Sequence, residues 1–327
     1  MPSFSDFNTR APWRPAASGS AEHTGELIGE RDVAAGGRRA NRVLYVLPRG
    51  GWRATVVAFP GDAVPHVGWH PLAGAAGRHP HSGGLLAILR ERLRGSSGRL
   101  ADAGLFVVEP ARVESSGAAV YENLLQSCTA TGEPLGYSST GRRAATHLAA
   151  LLEAAAEAAG AHGGPPQAAH GPLVVLTFSK GCVVANQLLT ELALPTGGND
   201  TESAGARLLG ALAEVHYLDA GLQCRGAHLT DPAVAAALGK RSAPPRVALH
   251  GTPRQWRDQS RPWLAEEKAR SAALLRDSGL RVVEREYLSQ ERPSLHMHFR
   301  CVDLFELDCF AGCGEDSKAG AHSEKRD

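Results

Sequence analysis

No apolar run in this 327-residue chain approaches the roughly 18 residues of a membrane-spanning helix, so no integral membrane segment is expected. An excess of charge of one sign is also missing. The formal net charge is +1 at pH 7 and the isoelectric point is about 7.8, which removes the electrostatic case for nucleic acid or an anionic membrane surface as partner. The N-terminal stretch lacks the apolar core of a secretory signal. Its Asp6, Glu22, Glu26 and Glu30 argue against a mitochondrial transit peptide. The six cysteines, Cys128, Cys182, Cys224, Cys301, Cys309 and Cys313, form no C-x-x-C pair, and they read as reduced thiols of an intracellular protein. The one metal or disulfide signal among them is the pair Cys309 and Cys313, four residues apart. No repeat recurs at solenoid periods.

What is present is enough apolar material for a sizeable core, 43% of residues, arranged as strands alternating with helices. "RVLYVL" (42–47) and "ATVVAF" (54–59) read as strands joined by a "PRGG" turn, a hairpin at a sheet edge. Helical spacing predicts a helix over 84–94, and "GLFVVEP" (104–110) reads as a short buried strand. An Ala/Leu-rich helix is predicted over 142–160. Strand–helix pairs follow at 172–178 and 180–193, then strands at 211–219 and 246–252, a helix at 262–279 and a strand at 280–288. This order predicts an α/β fold, a doubly wound, mostly parallel sheet with helices on both faces. The expected organisation is one domain over 41–310, with a disordered tail over 1–40 and a flexible charged tail over 311–327. A Gly- and His-rich loop over 63–84 and an insertion or lid over 111–141 are expected to line a pocket.

The chemistry-bearing stretch is "LVVLTFSKGCVVANQLL" (173–189), where a buried strand hands over to a buried helix through Ser179. A serine at such a turn is pushed out above the sheet edge, and the helix N-terminus beyond it presents backbone N–H groups to developing negative charge. That is the logic of the nucleophile elbow G-x-S-x-G. Here the pentapeptide is Thr177-Phe178-Ser179-Lys180-Gly181, so the first glycine is replaced by a β-branched residue. The competing reading makes Ser179 only a helix N-cap.

A serine nucleophile needs a histidine and an acid after later strands. His296 and His298 both lie in "PSLHMHFR" beyond the last strand, and the pattern does not choose between them. If they lay on a strand they would share a face, which raises a metal site, but no third ligand has suitable spacing. Asp219 ends one strand in "YLDAG". Asp258 follows the next strand, the one just before the strand that leads to the histidines and the commoner place for the acid. An oxyanion hole would use the backbone N–H of Lys180 and that of Gly61 or Asp62 in "FPGD". No cofactor and no metal are expected.

"LTFSKGCVVANQLLTEL", "YLDAG", "TPRQWRDQSRPW" and "PSLHMHFR" resemble, in order, blocks of the eukaryotic family whose human member is the chromosome 2 open reading frame 69 protein. The early "VLYVL…FPGD" and "YENLLQS…GEP" are also similar. The resemblance spans about 41–306. It implies an α/β-hydrolase-like fold, a serine-esterase-like activity and a mitochondrial setting tied to respiratory-chain function; without it the chain reads as cytoplasmic. It carries the serine to Ser179 and the histidine to His298, and does not choose between Asp219 and Asp258. The family's elbow reads G-F-S-K-G, from which Thr177 departs. Two functions follow as expectations. One is a serine hydrolase of the esterase, lipase or thioesterase kind acting on a small acyl substrate. The other is a non-catalytic hydrolase fold that binds a protein partner.

Overall fold

A computed structural model describes residues 22–33, 37–48, 52–63, 82–95, 100, 102–161, 171–195 and 203–310. Most of the expected loop over 63–84, the whole tail over 311–327, and residues 1–21 of the expected N-terminal tail lie outside these.

Eight strands make one sheet. They are β1 (Glu22–Val33), β2 (Gly37–Pro48), β3 (Ala54–Phe59), β4 (Ala103–Val108), β7 (Leu173–Phe178), β8 (Leu212–Leu218), β9 (Arg246–Gly251) and β10 (Val282–Glu286). Their spatial order is β1-β2-β4-β3-β7-β8-β9-β10. Two short strands, β5 (Arg112–Val113) and β6 (Ala119–Val120), pair separately. β1 and β2 are antiparallel, as are β2 and β4, and every other neighbouring pair runs parallel.

Parallel strands are covered on both faces, so they read as unbroken apolar runs. β3, β4 and β7 are buried at every position. Successive side chains go to opposite faces. Val57, Phe59 and Val175 join the core that packs on α2 (Arg143–Ala161), α3 (Cys182–Leu192), α4 (Ala204–Gly210), α5 (Pro232–Gly239) and α7 (Trp263–Asp277). Val56, Ala58, Val174, Leu176 and Phe178 join the opposite core, against α1 (Ser82–Gly95) and α8 (Leu295–Leu304). A mostly parallel sheet in this order, with helices on both faces and a strand–turn–helix crossing at β7–α3, is the α/β-hydrolase architecture.

Three expectations are corrected. The stretch over 42–59 is not a hairpin, because β4 lies between β2 and β3 and each pairs with it instead. Residues 22–33, assigned to a disordered tail over 1–40, form β1 and pair along their length with β2. The segment 111–141, expected as an insertion or lid, packs part of its length into the core. Its Ala119, Val120, Tyr121, Leu124 and Leu125 are buried, and Tyr121 donates to the carbonyl of Pro60 at 2.6 Å. Finally, His296 and His298 lie on α8 rather than on a strand. At about 100° per residue the two diverge around the helix, so His298 is buried and His296 exposed.

Candidate functional site

The turn after β7 keeps the elbow backbone despite Thr177. Ser179 has φ +53°, the left-handed conformation that costs a non-glycine residue energy and persists only where the surroundings enforce it. Thr177 is fully buried, and its hydroxyl donates to the carbonyl of His216 on β8 at 3.2 Å. The added side chain is thus accommodated between strands, and its polar atom is satisfied. Gly181 is needed for close approach: a Cβ there would lie 2.3 Å from the carbonyl oxygen of Phe59. A Cβ on Gly61 would meet Cβ of Ser179 at 2.4 Å. The loop after β3 therefore lies directly on the elbow. A single turn of 3-10 helix (Ser179–Gly181) leads into α3. No side-chain cap bond forms at α3's first residues, so Ser179 is not acting as the helix N-cap.

The histidine and the acid meet. His298 Nδ1 donates to Asp219 Oδ2 at 2.7 Å, and the aspartate is fully buried. With Nδ1 carrying the proton, Nε2 keeps its lone pair. α8 places His298 one turn in from its N-cap, where Ser294 accepts from the backbone N–H of Met297. The imidazole lies against Phe178, ring centroids 4.6 Å apart, and Phe178 immediately precedes Ser179.

Asp219 is the first residue past β8 and is itself left-handed, φ +46°. Its N–H donates to the carbonyl of His250 at 2.7 Å. Its Oδ1 accepts from the N–H of Thr252 at 2.7 Å, and the Thr252 hydroxyl lies 2.9 Å from Oδ2. The carboxylate is thus locked by β9's end and aimed at the histidine.

Asp258 does not take this place. Past β9 the chain turns at once into α6 (Pro253–Trp256), which carries Asp258 to the surface. There its carboxylate accepts from Ser260 at 2.6 Å and from Arg261 at 2.8 Å. Burial alone would raise its pKa, but those hydrogen bonds outweigh it and hold the group at about 2. Of the two candidate acids, Asp219 and not Asp258 is the one that meets His298. His296 likewise stays outside the arrangement.

Lys180 does something the pattern did not show. Its ammonium is buried, 3.0 Å from Glu133, 3.4 Å from Asp62 and 2.8 Å from the carbonyl of Thr131, to which it donates. Asp62 also accepts from the N–H of Ala119 at 2.8 Å. One cation thus ties the elbow, the loop after β3 and the insertion together. Desolvation raises the pKa of Asp62, and Lys180 pulls it back. No sequence spacing marks this cluster, because its members come from three separated segments.

Residues 158–281, the stretch running from the end of α2 to the start of β10, match the C2orf69 family model. Over that stretch the chain is similar to the C2orf69 family. It is 30% identical to the human mitochondrial protein C2orf69 over 143 residues, covering 43% of this chain and 35% of that protein. It is 31% identical to the Danio rerio homolog over 196 residues, covering 57% and 55%. The matched region thus spans about a third to a half of these relatives. Among solved structures, an esterase from Rhizomucor miehei aligns over 86% of this chain and 80% of its own, with 12% identity and a TM-score of 0.42. At that score the alignment bears on neither substrate nor activity.

Proposed function

We propose that this chain is a serine hydrolase of the esterase, lipase or thioesterase kind, cleaving an acyl ester or thioester. The observation that carries the reading is the 2.7 Å bond from His298 Nδ1 to a fully buried Asp219, with the imidazole packed on Phe178, the residue before the left-handed serine at a strand–helix turn. Ser179 Oγ attacks the acyl carbonyl, and its proton passes to His298 Nε2. Asp219 fixes the imidazole tautomer and stabilises the imidazolium. The backbone N–H groups of Lys180 and of Gly61 or Asp62 receive the oxyanion. His298 then returns the proton to the leaving alcohol or thiol, and water repeats the sequence on the acyl-enzyme.

Two features would have favoured a fold that binds a partner without turnover: Thr177 in place of glycine, and the large Lys180 beside the serine. Both side chains are engaged elsewhere, Thr177 with the His216 carbonyl and Lys180 with Glu133 and Asp62. The mitochondrial names of the relatives support a mitochondrial location for this chain as part of the same reading. The test is hydrolysis of p-nitrophenyl esters and acyl thioesters of graded chain length by the wild type and Ser179→Ala. Turnover of at least one substrate, absent in the variant, is expected. Equal rates for both proteins, or none for a folded wild type on any substrate, would end the proposal.

A further inference from the structure

A second polar cluster lies in the sheet itself, on β8 and its neighbour β9. His216 on β8 and His250 on β9 are fully buried, and their rings stack with an interplanar angle of 3°. Nδ1 of His216 and Nε2 of His250 face each other at 3.1 Å. Cys309, from the segment that follows α8, brings its sulfur to the same point, so that all three donor atoms lie within 4.8 Å of one another. Two nitrogens bound to one tetrahedral zinc at about 2.0–2.1 Å stand about 3.3–3.4 Å apart, so the nitrogen spacing is already close to that of a shared ion.

The outer nitrogens are also held. His216 Nε2 lies 3.3 Å from Glu214 Oε2, and Glu214 is itself paired with Arg246. His250 Nδ1 lies 2.9 Å from the hydroxyl of Tyr287. Metal-binding histidines nearly always engage their second nitrogen in this way, with a carboxylate or another polar group that orients the ring. A soft thiol with two imidazoles selects a zinc-class ion over magnesium or calcium.

We propose that His216, His250 and Cys309 form a site for a zinc-class divalent ion. The Cys309 thiol gives up its proton when the ion binds. The ion would clamp the segment after α8 onto β8 and β9 close to Asp219, which lies three residues past His216 and whose N–H bonds the His250 carbonyl. The role is structural and independent of the hydrolase reading, since none of the three ligands belongs to the Ser179 site. The alternative is a purely protonic chain, with Tyr287 donating to His250, His250 to His216 and His216 to Glu214.

Titration of the full-length, metal-stripped chain with cobalt(II) separates the two. The proposal expects one ion per chain, visible d–d bands of a tetrahedral site and a sulfur-to-cobalt charge-transfer band. Cys309→Ser should abolish the charge-transfer band, and His250→Gln should weaken uptake by more than the 10–100-fold typical of outer-sphere partners. His298→Gln should leave uptake unchanged. No stoichiometric uptake by the folded wild type, or a charge-transfer band that persists in Cys309→Ser, would overturn it. If His250→Gln fails to fold, the wild-type titration and Cys309→Ser still decide.

Discussion

Asp219 and Asp258 follow consecutive parallel strands, and both were candidates for one role. The first sits at the strand end itself, fully buried, with its backbone forced left-handed and its carboxylate held by Thr252 and His298. The second is carried by α6 to the surface, where it binds its own neighbours Ser260 and Arg261. The lesson is that order along the chain nominates an acid, whereas burial and the number of donors converging on it select one. A carboxylate that must orient an imidazole needs partners that keep it from turning away.

The sharpest way to break this contrast is substitution at both positions. Asp219→Asn should lower kcat by about 10⁴-fold by spoiling the histidine tautomer, while Asp258→Asn should stay within about threefold. Steady-state kinetics on one reporter ester would show it, and comparable losses at the two sites would erase the distinction.

The histidine pair gives the same test on a different element. His298→Ala should remove essentially all turnover, and His296→Ala should leave it unchanged, because α8 turns only the former toward Asp219.

Next in size is the buried cation. Lys180→Met removes the partner of Asp62 and Glu133 and should cost about 3 kcal/mol in urea unfolding, as breaking buried ion pairs does. A loss no larger than that of an average surface substitution would show that the insertion is held by its apolar contacts alone.

The smallest effect concerns Asp258 and pH. Its folded pKa, about 2, lies below its ordinary value. The unfolded state therefore binds the proton more readily, and the contribution to stability is present above about pH 4 and lost as pH falls toward 2. The group is partly exposed and its partners lie at the surface, so the whole contribution should stay below about 1 kcal/mol. Melting temperatures of the wild type and Asp258→Asn should differ slightly at pH 5 and converge near pH 2.

Much of this was legible in the residues. The β7–α3 crossing announces itself, because a two-sided buried strand must be continuously apolar and must break sharply at Ser179. Elements near the sheet edge were harder to read. β1 has a single neighbour in the sheet, and its sequence, "EHTGELIGERDV", offers only Leu27 and Ile28 as adjacent apolar residues. The pairing of β2 and β3 with β4 was hidden for another reason. Adjacency in sequence favours a hairpin, and only the completed sheet shows β4 inserted between them. At the site, Ser179, His298 and Asp219 were all in view. The choice between aspartates was not, since it depends on how few residues separate each from its strand end. The Lys180 cluster and the His216–His250–Cys309 cluster left no mark in any local pattern, because each draws its members from three distant segments.

The most direct test of the account is covalent labelling with a fluorophosphonate, followed by peptide mapping. The account predicts a single adduct on Ser179, absent in Ser179→Ala, slowed severely in Asp219→Asn and unchanged in Asp258→Asn. A folded wild-type chain that remains unlabelled, or an adduct that survives Ser179→Ala, would contradict it.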